Sequence, residues 1–171
     1  MKFSSFCIAV VFCTSTGARA EVDDCMTGTW IAATDHLKAF YQRLQPAAPV
    51  TDVDGKTVMT IAPDGSGTGS ISDFVIGQQV GNQRMTNTGQ GRFAFNVDTE
   101  GDRYTIEFTE FALNIKAHMH GGPEPKLMAE ADQNLADLPS RTASGQYTCT
   151  KGSLTLADDR LDSSPFPNWH R

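Results

Sequence analysis

Apolar and polar residues alternate along much of the chain, and the alternation predicts strands. In RFAFNV, Phe93, Phe95 and Val97 fall on one face; in RYTIEF, Tyr104, Ile106 and Phe108 share a face with Thr105 and Glu107 opposite. A period of two is what a half-buried strand requires. DTEGD joins these runs as a hairpin connection. Beyond Phe108 the alternation resumes on the other parity, through Phe111, Leu113, Ile115, Ala117 and Met119. One extra residue near Thr109 and Glu110 therefore acts as a bulge or a turn. Upstream, MTGTWIAA reads as a short strand, and KTVMTIAPDGSGTGSISDFVI as two extended runs joined at Pro63-Asp64-Gly65, where proline presets one turn dihedral and glycine tolerates positive φ. Near the C-terminus, ASGQYTCT and SLTLA form another hairpin about Lys151-Gly152.

Two segments change period. TDHLKAFYQRL places Leu37, Phe40, Tyr41 and Leu44 on one helical stripe, with Thr34 or Asp35 as cap and Pro46 as stop. EPKLMAEADQNLADLP carries Leu127, Ala131, Leu135 and Leu138 on another, ended by Pro139, and predicts a second helix. Between Gly77 and Gly91 the chain is polar and glycine-rich, which predicts loops, with QRMTN at most a weak edge strand. The final SSPFPNWHR has two prolines and no period, and reads as a tail that packs locally through Phe166 and Trp169.

About eight short strands with two helices predict an all-β fold, one antiparallel sheet closing on itself as an up-and-down β-barrel. The ends of the chain refine this. Lys2, an apolar run from Phe3 to Cys13, and small residues ending in Ala18-Arg19-Ala20 have the anatomy of a secretory signal peptide. The expected organisation is a signal peptide at 1–20, a single barrel domain at 21–160 and a tail at 161–171. Removal of the signal takes Cys7 and Cys13 and leaves Cys25 and Cys149 to pair in an oxidising, periplasmic or extracellular compartment. First and last strands are neighbours in an up-and-down barrel, so this bridge suits that fold.

Charge narrows the partners. The signal also takes Lys2 and Arg19 and no acidic residue, leaving 12 Lys and Arg against 20 Asp and Glu. That balance argues against nucleic acid and anionic membrane, since both need clustered cations, and no later run is long and apolar enough for membrane insertion. No Gly-x-Ser-x-Gly, His-Glu-x-x-His or phosphate loop occurs, so a non-enzymatic protein is expected.

TGTWIAATDHLKAFYQRL resembles the opening of the calycin barrels, the lipocalins and fatty-acid-binding proteins, which begin with a Gly-x-Trp strand; Gly28, Thr29 and Trp30 match it. The resemblance implies that Trp30 closes the barrel floor with an arginine across it, for which Arg160 is the candidate, and that the following helix lids the mouth. It also implies a monomer that binds a small apolar or amphipathic ligand. Trp30, Phe93, Phe95, Tyr104, Ile106 and Phe108 are then expected to line the cavity or its floor.

The two histidines of KAHMHGG raise a different chemistry. His118 and His120 fall on the polar face of their strand with Asn114 and Lys116. One reading is a pair of exposed strand residues. The other is a zinc or copper site completed by His36, Glu124, Glu130 or His170. HMH, a helix and Pro139 are similar to the end of periplasmic zinc-binding calycin proteins. A third reading follows from YTCTKGSLTL, which resembles a strand of small periplasmic lysozyme inhibitors and implies a surface interaction or inhibitor protein.

Overall fold

A computed structural model describes residues 22–44, 47–122, 124–138, 140–159 and 168–171; the side chains of His36, Phe40, Arg43 and Leu44 also fall outside it. The expected signal peptide, Pro46, Pro123, Pro139, Arg160 and Phe166 lie outside the described residues. Within them the chain forms β1 (Gly28–Ala32), α1 (Thr34–Leu44), β2 (Val50–Ile61), β3 (Ser66–Val80), β4 (Gln83–Glu100), β5 (Arg103–His120), β6 (Lys126–Asn134), a 3-10 turn (Leu135–Asp137), β7 (Thr142–Cys149), β8 (Ser153–Asp158) and β9 (Trp169–His170). All strand pairs are antiparallel.

The sheet closes into a ring in the order β1-β2-β3-β4-β5-β7-β8-β9, with β9 returning to β1. Closure depends on β5, which pairs with β4 along its whole length but forks on its other side. Its first half, Arg103 to Glu107, pairs with β7, and its second half, Ala112 to Met119, pairs with β6. The fork falls at the predicted bulge: Phe108 faces Phe95 and Glu110 faces Ala94, which leaves Thr109 unpaired. Matching shifts occur in β2 between Asp54 and Lys56 and in β3 between Ile71 and Phe74. Gly55 sits there with φ +106°, and a Cβ on it would stand 2.7 Å from Asp73 O and Phe74 Cα, so only glycine fits. Beyond these shifts the strands leave the ring as an arm of sheet flanked by α1, whose Tyr41 ring lies 5.5 Å from Phe74.

Three expectations change. The predicted helix over 126–138 is β6 followed by a 3-10 turn capped by Asn134 and Asp137. Helix propensity favours that sequence by tenths of a kcal/mol per residue, whereas the open edge of β5 offers a full ladder of backbone hydrogen bonds. The region predicted as loops, 77–91, is continuous strand, turned by Gly81-Asn82 with Gly81 at φ +62°. The segment read as a tail supplies β9, so the barrel domain extends past 160 to include Trp169 and His170 between β1 and β8.

The ring buries its inward parity. Trp30, Met26, Leu154, Ile61 and Val97 are at most 1% exposed, each burial contributing about 1.5–3 kcal/mol for a large apolar side chain. Cys25 and Cys149 form the expected disulfide, with Cα atoms 6.0 Å apart. It ties the segment before β1 to β7 across a sequence separation of 124.

The barrel cavity and the histidine face

Trp30, on β1, is fully buried. Its Nε1 donates to Met26 O at 2.7 Å, and Arg171 Cζ stands 4.4 Å from the ring centroid. The same guanidinium donates to Cys25 O at 3.0 Å and Thr27 O at 2.6 Å. The arginine over Trp30 is therefore Arg171, of which the sequence pattern gave no sign, because β9 carries it back to β1.

The β4–β5 hairpin turns three aromatic rings inward. Phe93 and Phe95 are stacked at 6.0 Å, and Phe108 meets them edge-on at 6.2 and 6.3 Å. Their room comes from β3: a Cβ on Gly69 or Gly67 would fall within 2.1 Å of the Phe93 ring or 2.2 Å of the Phe95 ring. The rings thus lie directly over glycine backbone, a packing used in sheets to cover strand glycines.

Between these rings and the opposite wall lies a cavity of about 190 Å³. It is lined by Thr57, Met59, Ile71, Phe93, Phe95, Tyr104, Ile106, Phe108, Phe111, Ala143, Leu156 and Trp169. Five of the six expected residues are there; Trp30 is not among the lining. Alternation could have found Met59 and Leu156, which share the inward parity of their strands. Nothing in the sequence pattern pointed to Trp169. None of the described lining residues is charged, so the cavity offers apolar contact with few polar groups.

His118 and His120 stand opposite Thr86 and Arg84 on β4 and are half-buried rather than exposed, with His120 Nε2 itself shut off from solvent. Arg84 is already held by Asp52 at 2.8 and 2.9 Å; hydrogen bonding from Thr51 first, and from Arg84, holds the Asp52 carboxyl below its ordinary pKa. Glu130 accepts from Lys116 at 3.1 Å and Asn114 at 3.3 Å. The Lys116 hydrogen bond is the chief reason its carboxyl too is held low. His170 is on β9, in the ring, and Glu124 is exposed. Among the described residues no three His, Cys, Asp or Glu side chains come together as a metal would require. The predicted helix of the zinc-protein resemblance is β6 instead.

No protein-family model matches the chain, and no curated protein or solved structure matches it either.

Proposed function

We propose that this protein is an exported, non-enzymatic β-barrel that binds a small apolar molecule in its interior. The observation that carries the reading is the cavity of about 190 Å³ lined on one side by the aromatic wall of β4 and β5. A core without a ligand to accommodate is close-packed with few voids larger than a water molecule. An engineered apolar cavity of about 150 Å³ stays dry and takes up benzene, so this one suits a molecule built on a single ring or a short chain. It is small for a long acyl chain, since pockets for larger ligands run to about 300–1,000 Å³.

Other features support the reading. The first strand resembles those of ligand-binding calycins, and the N-terminal pattern and the disulfide suit an oxidising compartment outside the cytoplasm. Among the described residues no helix is long and apolar enough to cross a membrane.

The test is a titration of delipidated, 15N-labelled protein with ring-sized aromatic hydrocarbons at up to millimolar concentration. Saturable shifts should centre on Phe93, Phe95, Phe108, Ala143 and Trp169. An unperturbed spectrum at saturation of the solvent with ligand would sink the proposal.

A further inference from the structure

Among the described residues β6 is held from one side only. It pairs with β5 and with no other strand, and all nine of its residues are exposed. Leu127 and Met128 remain 49% and 54% exposed there, so burial contributes little to holding the strand in place. The side chains that cross to β5 are equally open to solvent: Lys116 meets Glu130 at 3.1 Å with both 46% exposed, and Asn114 donates to Asp132 at 2.8 Å. Surface pairs of this kind add little. The sequence of β6 meanwhile favours a helix, which sets local preference against tertiary pairing. β5 does not depend on β6, because β4 pairs with it from Arg103 to His120. None of the described residues lining the cavity comes from β6.

We infer that β6 is a detachable strand covering a strand-addition site on β5, and that the site accepts an extended acidic segment of a partner protein. Release of β6 frees the backbone groups of β5 that face it between Ala112 and Met119, while the ladder to β4 stays whole. An open strand edge is a template for another chain. The segment now in place shows which chain fits. On one face Ala129 and Ala131 stand opposite Ala117 and Ile115; on the other Glu130 and Asp132 stand opposite Lys116 and Asn114, a cation and an amide donor. The matching partner therefore alternates small apolar residues with carboxylates. A second copy fits less well, because its own β6 has first to leave its own β5.

Hydrogen exchange of the whole protein reads the detachment. The β6 amides bonded to β5 should exchange on the order of 100-fold or more faster than ring amides bonded between β5 and β7, at rates that small additions of urea leave unchanged. A synthetic peptide of residues 124–138 reads the site. The covalently joined β6 competes with it at an effective concentration of about millimolar. The protein for this titration is therefore Glu130→Lys, which sets two cations opposite each other in the attached strand while the peptide keeps its carboxylate. Reversing one such pair corresponds to roughly fivefold or more in affinity. The peptide should displace β6 from the variant with the ring amides still protected, and should bind about fivefold or more tightly than the same peptide carrying Glu130→Lys.

Bonded β6 amides that exchange as slowly as the ring amides, with the same urea dependence, would overturn the detachment. A peptide that leaves β6 in place, or that binds equally well with either charge, would overturn the strand-addition site. Self-association of the variant without peptide would put a second copy on β5 and overturn the assignment to a partner protein. None of these outcomes involves the cavity, so the ligand-binding reading stands or falls apart from them.

Discussion

Ala143 faces the cavity from β7, paired with Ile106 on the adjacent β5, and replacing it by leucine probes whether that space is empty. Ala143→Leu adds three carbons. If they enter unfilled space they gain about 0.8 kcal/mol per carbon, close to 2.4 kcal/mol in all. Ordering the leucine side chain costs about 0.5–1 kcal/mol, which leaves a net stabilisation of about 1.5 kcal/mol. For a domain of this size each kcal/mol moves Tm by about 2–4 °C, so Tm should rise by about 3–6 °C. The assay is urea unfolding followed by circular dichroism, with the midpoint rising and the slope unchanged. The same variant should lose affinity for a ring-sized ligand, because the added carbons occupy its place. The reasoning turns on the sign. Overpacking a filled core costs about 1–3 kcal/mol, so destabilisation of that size would show that the barrel interior has no room.

Further outcomes follow from other contacts. Arg171→Met removes two hydrogen bonds and the cation over Trp30; it should cost about 1–2 kcal/mol in thermal or urea unfolding, and a neutral result would show that Trp30 is held without it. Replacing both Cys25 and Cys149 by serine opens a loop of separation 124 and should cost about 2–5 kcal/mol, while full thiol reactivity of the native protein would contradict the bridge. Desolvation first, then its hydrogen bond to Asp23 at 2.8 Å, pushes the Tyr147 hydroxyl up to about 12 from 10. The folded state thus prefers the neutral phenol, so this contribution is full below pH 10 and is lost as pH rises through about 12; Tyr147→Phe should abolish that part of the alkaline transition, and an unchanged profile would refute the assignment. With two histidines and no third ligand beside them among the described residues, zinc should bind His118 and His120 more weakly than micromolar in calorimetric titration; tighter binding lost in a double alanine variant would restore the metal reading.

Much of the ring was legible because its inner wall is written in a period of two. Phe93, Phe95, Tyr104, Ile106 and Phe108 alternate with polar residues, and a buried face on one side of a strand leaves no other register. The parity change after Phe108 marked the bulge for the same reason. The cysteine pair was legible because the expected removal of a signal peptide leaves only one partner for each thiol. Residues 77–91 were not legible, because inward positions held by Gly89, Gly91 and Asn87 carry no hydrophobic signal; their strand exists because Leu113, Phe74 and the long neighbours β3 and β5 complete it.

Local pattern alone thus determined the all-β class, the inward aromatic wall and the disulfide. Tertiary structure decided what neighbours had to supply. Leu127, Ala131 and Leu135 repeat at helical spacing, yet the open half of β5 recruits that segment as β6, since long-range backbone pairing outweighs tenths of a kcal/mol per residue of helix preference. Trp169 and Arg171 have no pattern of their own. Only ring closure between β1 and β8 gives them a place, one lining the cavity and the other over Trp30. A periodic signal reports which face of an element is buried, and it is silent about which distant strand does the burying.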